Sequence, residues 1–282
     1  MSDAVAIGGG GHGEAADDGR GLPGGSGLAR AALAAARAAW ASLPRPLVAR
    51  DVACAFAVSR AAGISRQVQE ILVKGRRYVD PQTPLFLSPH AATSAICIGL
   101  GLGGSAITLV GPHAGLEALA WGARQAAGRG TAAVIVAADG DPERGWHAAA
   151  VVVMAATGLA ATSSVSFVGY ACSSADDRVT ATRVAVRVLT RVQPVLLLHS
   201  LSTADEHNVA MALRSIGGMV HASAVPSGDL AYTSIAWLAR GMPDGRRDPI
   251  GLIVAPDFGT VAFAGVRASP GGLGTAERAW IS

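Results

Sequence analysis

Residues 103–128 constrain the fold of this chain more than any other stretch of its sequence. Their first part, 106–110, is an apolar run that predicts a buried β-strand, and the Gly-Pro pair at 111–112 predicts a sharp turn directly after it. Apolar residues then recur at helical spacing and predict a helix: Leu116, Leu119, Ala120 and Ala123. Backbone N–H groups and the positive end of a helix dipole converge at such an elbow, where they would stabilise a thiolate or an oxyanion.

The elbow itself carries no nucleophile that could use this environment. Its sequence at 111–115 is GPHAG, with neither Cys nor Ser. Pro112 offers no reactive side chain and no backbone N–H. The G-x-S-x-G elbow of the α/β-hydrolases is also absent from the sequence. The stretch therefore has the form of a reactive elbow without the reactive residue.

These residues resemble the nucleophile region of the β-ketoacyl synthases, and in particular of their catalytically degenerate partners, the chain length factors. Ketosynthases read approximately GP-S-x-T-V-x-x-A-C-x-S-x-L-x-A-L there, and GGSAITLVGPHAGLEAL fits this pattern without a gap. The fit places Pro112 on the nucleophilic cysteine, whereas one inserted gap would place His113 there. Chain length factors of type II polyketide synthases often carry Gln in a Gly-Glu-Gln-Ala-Gly context, which residues 111–115 resemble.

Two motifs in the second half extend the resemblance. Residues 199–203, HSLST, resemble the H-G-T-x-T motif, so His199 matches the first catalytic histidine of the ketosynthases. Residues 215–222, SIGGMVHA, resemble the S-V-K-S-M-I-G-H segment, with Gly217 in place of the lysine and Ala222 in place of the second histidine. A slip of one residue would instead make His221 that histidine. The resemblance thus implies no catalytic residue in this chain, only degenerate active-site positions.

The inventory of reactive residues agrees with this reading. Ketosynthase condensation needs a low-pKa cysteine to accept the acyl chain, two histidines to stabilise the oxyanions, and a lysine in the second half that supports the site. The elbow has no cysteine, and Lys74, the only lysine of the chain, lies in the first half. Cysteine-based condensation by this chain alone is therefore excluded.

The resemblance covers residues 3–267 and implies the fold. We expect an α/β protein with the thiolase-like five-layered αβαβα arrangement and a shortened second half. The expected divisions are an N-terminal thiolase-like half over 1–160, a compressed C-terminal half over 161–268, and a loose tail over 269–282.

The resemblance also implies a function and partners. We expect a non-catalytic chain length factor that pairs with an active ketosynthase in a type II polyketide synthase, of which aryl-polyene and other highly reducing systems are examples. An acyl carrier protein with its phosphopantetheine-bound chain is the second expected partner. In the implied dimer, this subunit walls off the partner's acyl tunnel with six apolar side chains: Ile64, Val68, Ile71, Leu72, Leu85 and Phe86. The first four are not aromatic, which favours a permissive gate for a long or straight chain.

Three alternatives stay open at this point. The chain could instead be a stand-alone acyl-thioester-processing enzyme with His113 or His199 as its base, or a structural homodimer without an acyl pocket. Within the chain-length-factor reading, His113 either fills the vacated nucleophile pocket or polarises a thioester carbonyl.

Composition excludes other classes of function. A net charge of +3 with only 15% charged residues gives no basic surface for a nucleic acid. Three cysteines at wide spacing, Cys54, Cys97 and Cys172, fit neither a metal site nor a disulfide framework, so we expect buried thiols, no metal and no cofactor.

The longest apolar stretch, 148–162, is too short to span a bilayer, and no signal peptide is visible, which predicts a cytoplasmic protein. The glycine run at 8–13 predicts a flexible loop rather than a phosphate-binding loop.

Overall fold

A computed structural model of the chain describes the following residues: 5–15, 27–43, 46–60, 72–73, 75, 88–129, 132–141, 144–155, 164–173, 195–199, 220–225, 229–239, 250–255 and 261–269. The strands in these ranges are β1 Val5–Ala15, β2 Ala53–Val58, β3 Ala106–Val110, β4 Ala132–Asp141, β5 Gly145–Ala155, β6 Ser164–Ser173, β7 Val195–His199, β8 Val220–Ala224, β9 Ile250–Ala255 and β10 Val261–Ser269. The helices are α1 Gly27–Ala41, α2 Pro89–Leu100, α3 Ala114–Arg129 and α4 Leu230–Ala239, and Ala49–Asp51 forms a short 3₁₀ turn.

The strands form two five-stranded sheets with the same topology. The first sheet has the order β1-β5-β4-β2-β3, and the second has the order β6-β10-β9-β7-β8. In the first sheet β2 is parallel to β3 and β4, while β5 runs antiparallel to both β4 and β1. The second sheet repeats these directions with β7, β8, β9, β10 and β6. Two equivalent sheets in chain order confirm that the fold is built from two similar α/β halves.

The first sheet is covered on both faces, because successive side chains of a strand point to opposite sides. In β2, Cys54 and Phe56 pack in a cluster with α1 and α2, whereas Ala55 and Ala57 pack with α3 and α4. Helices α3 and α4 also contact strands of the second sheet, including β6 and β7. The described residues thus form an α–β–α–β stack. The predicted boundary at 160/161 and the predicted tail beyond 269 lie outside these residues and stay predictions.

The glycine run at 8–13 is part of a strand, so the predicted loop is wrong. It lies inside β1, which pairs with β5 from Val5 opposite Ala155 to Ala15 opposite Trp146. A Cβ at Gly11 or Gly13 would overlap the backbone of α1. The missing side chains therefore let α1 pack directly on the strand, with Ala31, Ala35 and Ala39 fully buried. These glycines allow α1 to pack closely on β1. The local sequence pattern does not distinguish glycines that allow close packing from glycines of a flexible loop.

Strand β3 has the predicted bounds but is an edge strand, not a buried one. Val110 at its end is 53% exposed. The strand is fastened to α2 by side chains, since Thr108 Oγ1 lies 2.6 Å from Thr93 Oγ1 and 3.1 Å from His90 Nδ1. An apolar run indicates that a strand packs against another surface. It does not indicate whether that surface belongs to the same chain or to a partner subunit.

Candidate functional site

The elbow between β3 and α3 has a rigid backbone. Gly111 adopts φ +142°, a conformation that residues with a Cβ rarely take. Its N–H donates to the carbonyl of Val58 at the end of β2 (2.9 Å), and its carbonyl accepts the N–H of Ala114 (3.0 Å). These bonds attach the turn to the neighbouring parallel strand. The structure thus confirms the strand, the elbow and the helix that the sequence predicts at 106–129.

The elbow presents an imidazole at the start of α3. The His113 residue is only 8% exposed, and its carbonyl accepts the N–H of Glu117 in the first helical turn (3.0 Å). Pro112 precedes it and is partly exposed. The side chains of the helix that follows are buried as predicted, with Leu116 and Leu119 at 0% exposure. Which of Pro112 and His113 matches the ketosynthase nucleophile stays a prediction.

A buried polar cluster lies next to the elbow and joins the two halves of the chain. The Asp139 carboxylate in β4 accepts hydrogen bonds from the Ser59 N–H (2.7 Å), the Ser59 hydroxyl (2.8 Å) and the Tyr232 N–H of α4 (2.7 Å). The Ser59 hydroxyl in turn accepts the N–H of Ala231 (2.8 Å). We call Ser59 and Asp139 together the clamp, because they hold the first turn of α4 against the first sheet.

The clamp places an ionisable group in an apolar interior. Asp139 is 2% exposed and Ser59 is 6% exposed. Burial raises the pKa of Asp139 from 3.8 to about 7, against the hydrogen bonds from Tyr232 and Ser59 that favour the carboxylate, and the charge of Asp229 raises it further. The N–H groups of α4 that point at the clamp are donors that a helix start leaves without an intrahelical acceptor. The clamp is therefore both a helix cap and a titratable link between the halves.

The elbow and the clamp form one continuous site. Val58 accepts the elbow hydrogen bond, and the next residue, Ser59, belongs to the clamp. A Cβ at Gly115 of α3 would overlap the Ser234 hydroxyl and the Ala231 carbonyl of α4, so the two helices touch at their N-terminal turns. The carboxyl ends of parallel strands are where α/β proteins place their sites, and here that edge is occupied by these packed groups.

The two histidine positions predicted in the second half lie in adjacent parallel strands. His199 is the last residue of β7 and is paired with Ala224 of β8. Ala222 and His221 lie earlier in β8, opposite Leu197 and Leu196. The roles of these positions stay predictions.

The remaining predicted residues are mostly beyond the described ranges. Gly217 and five residues of the predicted acyl gate fall there: Ile64, Val68, Ile71, Leu85 and Phe86. Leu72, the sixth, is 78% exposed, as is its neighbour Val73 at 83%. Their function as a gate stays a prediction.

The sequence interpretation missed the clamp. The apolar run before Asp139 ends at Ala138, whereas β4 continues to Asp141 and buries Asp139. A signal was present, since Ser59 and Asp139 each follow an apolar run that predicts a parallel strand, and the carboxyl ends of such strands meet at one edge. Polar residues at two adjacent strand ends therefore indicate a contact there.

The described ranges contain neither a candidate metal site nor a candidate membrane-spanning helix. They contain no group of three or more His, Cys, Asp or Glu side chains that could hold a metal ion. None of their helices is long and apolar enough to cross a membrane.

Comparison with solved structures defines the fold. No protein-family model and no curated protein matches the chain. The structure described as the ishigamide ketosynthase/chain length factor is similar, with a TM-score of 0.70 at 16% identity over 95% of this chain and 100% of that one. A type II polyketide synthase acyl-carrier protein in complex with its ketosynthase gives 0.70 at 10% identity over 95% and 100%. A variant of OleA from Xanthomonas campestris gives 0.58 at 14% identity over 94% and 99%. The chain therefore has the α/β thiolase-like fold, as the sequence predicts.

Proposed function

We propose that this chain is a non-catalytic chain length factor that pairs with an active ketosynthase in a type II polyketide synthase. The observation that carries the proposal is the elbow: a hydrogen-bonded strand–elbow–helix unit in a thiolase-like fold, with Pro112 and His113 and neither Cys nor Ser at its turn. The similar solved structures include a ketosynthase/chain length factor and a ketosynthase bound to its carrier protein. We expect the chain to act in the cytoplasm together with that synthase.

Cys54 and Cys97 cannot replace the missing nucleophile. Acyl transfer by a ketosynthase needs a thiolate that forms a thioester with the chain. Cys54 and Cys97 pack with α1 and α2 on one face of the first sheet, whereas α3 packs on the other face. The sheet separates these thiols from the elbow. We therefore expect no acyl-enzyme on this chain.

The open edge of the first sheet supports pairing with another subunit. Strand β3 ends the sheet, and its apolar Val110 is 53% exposed. Ile98 on the adjacent helix α2 is 82% exposed. An apolar strand edge of this kind promotes association unless it is covered. We propose that an active ketosynthase covers it, and that the carrier protein delivers the growing chain to that subunit.

We assign His113 a filling role at the elbow. His113 is buried at the start of α3, as expected for a side chain that fills space otherwise occupied by a substrate group. Replacing it with alanine is expected to leave both the complex and product formation intact. Loss of product with an intact complex would instead give His113 a part in the chemistry.

The acyl gate is the part of the proposal that determines product length. Leu72 is one of the six gate residues, and both it and its neighbour Val73 are exposed apolar side chains. Such side chains suit a hydrocarbon chain or a partner surface. We propose that the six gate residues predicted from the sequence line the end of the partner's tunnel.

Two measurements test the proposal. The first is intact-mass analysis of this chain alone after incubation with acyl and malonyl carrier protein, where no covalent adduct is expected; an adduct or turnover would favour a stand-alone enzyme. The second is product analysis of the reconstituted pair with Val68→Phe and Ile71→Phe, where shorter products are expected. Val48→Phe, at a residue 60% exposed and outside the gate, is the control. Unchanged product length in a stable complex would refute the gate.

A further inference from the structure

Two cysteines that are distant in the sequence are in contact in the structure. Cys54 lies in β2 and is 1% exposed, and Cys97 lies in α2, packs on the same cluster and is partly exposed. Each thiol is the neighbouring group that most strongly shifts the pKa of the other. No local sequence pattern indicates this pair, because a strand and a helix that are far apart along the chain bring the two thiols together.

The backbone around both cysteines is fixed. The Cys54 N–H donates to the carbonyl of Ser105 (2.9 Å), and the Cys97 carbonyl accepts the N–H of Leu102 (2.8 Å). Helix α2 ends directly after this at Gly101, which caps it in the left-handed conformation with φ +67°. Hydrogen bonds therefore fix the backbone next to both thiols. This favours reaction between the two thiols over reaction with other groups.

The two thiols have different chemical characters. The hydrogen bond to Cys97 and burial raise the pKa of the Cys54 thiol, and the same hydrogen bond lowers the pKa of the Cys97 thiol. The thiolate is the reactive form of cysteine, and exposure to solvent admits the oxidant. Cys97 thus has the features of an attacking thiol, and Cys54 those of the thiol that resolves the product.

We propose that Cys97 and Cys54 are a dithiol site that a hydroperoxide converts into a disulfide between α2 and β2. The Cys97 thiolate attacks one oxygen of hydrogen peroxide, the O–O bond breaks, and the departing hydroxide takes up a proton to leave as water. The resulting sulfenic acid at Cys97 is then attacked by the Cys54 sulfur, which loses its proton as the S–O bond breaks and a second water leaves. In sum, two thiols are oxidised to one disulfide and one peroxide is reduced to two waters.

The site lies beneath the surface proposed for the partner subunit. Ile98, which follows Cys97, is 82% exposed, and α2 contacts the open edge strand β3. A disulfide would tie α2 to the sheet at this point and so fix that surface. This consequence for pairing rests on the proposed function, whereas formation of the disulfide does not.

The test is oxidation of the purified full-length chain with hydrogen peroxide. Remaining thiols are blocked with N-ethylmaleimide, and non-reducing peptide mass spectrometry is used to find the linkage. We expect a peptide that joins Cys54 to Cys97, that disappears on reduction with dithiothreitol, and that persists in the Cys172→Ser variant. In Cys54→Ser we expect dimedone to trap a sulfenic acid at Cys97 instead.

Two results would overturn the proposal. One is that all three cysteines stay free after peroxide treatment, and the other is that Cys97 pairs with Cys172 in the wild-type chain. Should Cys54→Ser fail to fold, Cys97→Ala on the partly exposed helix replaces it as the negative control, with circular dichroism to verify folding. A Cys54–Cys97 link in the wild type that is missing in this variant supports the proposal. Failure of the proposed function would appear separately, as a loss of pairing with the ketosynthase in the reduced protein.

Discussion

The substitution Asp139→Asn is expected to change how the stability of this protein depends on pH. An asparagine side chain does not titrate, whereas burial raises the pKa of Asp139 from 3.8 to about 7 in the folded protein. The folded state therefore holds a proton that the unfolded chain has already released at intermediate pH. Stability from this group is complete below about pH 4 and is lost as the pH rises through about 7.

The size of the effect follows from the difference between the two pKa values. The folded value exceeds the unfolded one of 3.8 by about three pH units. At about 1.4 kcal/mol per unit, the wild type should lose about 4 kcal/mol of unfolding free energy relative to the variant between about pH 4 and about pH 7.5. Asp229 and His147, whose ring lies 6.1 Å from that of Tyr232, remain in both proteins, so the comparison isolates the change at residue 139.

Urea unfolding of both proteins over this pH range measures the effect directly. The quantity of interest is the difference between their unfolding free energies at each pH, because it removes the titration of all shared groups. Asp51→Asn, at an exposed carboxyl outside the clamp, controls for the loss of one negative charge. A difference that stays constant within about 1 kcal/mol would refute the reasoning. It would mean that the hydrogen bonds from Ser59 and Tyr232 fully offset the cost of burying the charge.

Three further predictions concern packing and pairing. Ser59→Ala should destabilise the fold by about 1–3 kcal/mol in urea unfolding, since a buried N–H of α4 loses its acceptor; no loss would remove the clamp as a link between the halves. Gly115→Ala should cost about 1–3 kcal/mol because its Cβ would overlap α4, whereas Gly128→Ala, with nothing within 4 Å, should stabilise α3 by about 0.5–1 kcal/mol; equal effects would contradict this packing. Val110→Lys at the open edge should abolish co-purification with the ketosynthase and leave chain stability within about 0.5 kcal/mol, and retained pairing would place the partner elsewhere. Val48→Lys, also at an exposed valine, is the control and should leave pairing intact.

Much of the local structure could be predicted from the sequence. The strand at 106–110, the elbow and the helix after it follow from the apolar pattern and from the Gly-Pro pair between them. The absence of a nucleophile at 111–115 and the lysine inventory are properties of the sequence alone. The resemblance to the ketosynthases implies the two-half fold. These features depend mostly on residues that are close together in the chain. They can therefore be predicted from the sequence without the tertiary structure.

The tertiary structure decided what those elements face. Whether β3 lies inside the sheet or at its edge depends on whether a second strand pairs with it besides β2, and the apolar pattern of 106–110 is the same in either case. The glycines of β1 are a packing surface only because α1 lies on them. Asp139 and Cys97 gain their chemistry from Ser59, Tyr232 and Cys54, residues that are far away in sequence. Local pattern determines the type of an element, whereas burial, pKa and contact are set by long-range partners that only the folded chain brings together.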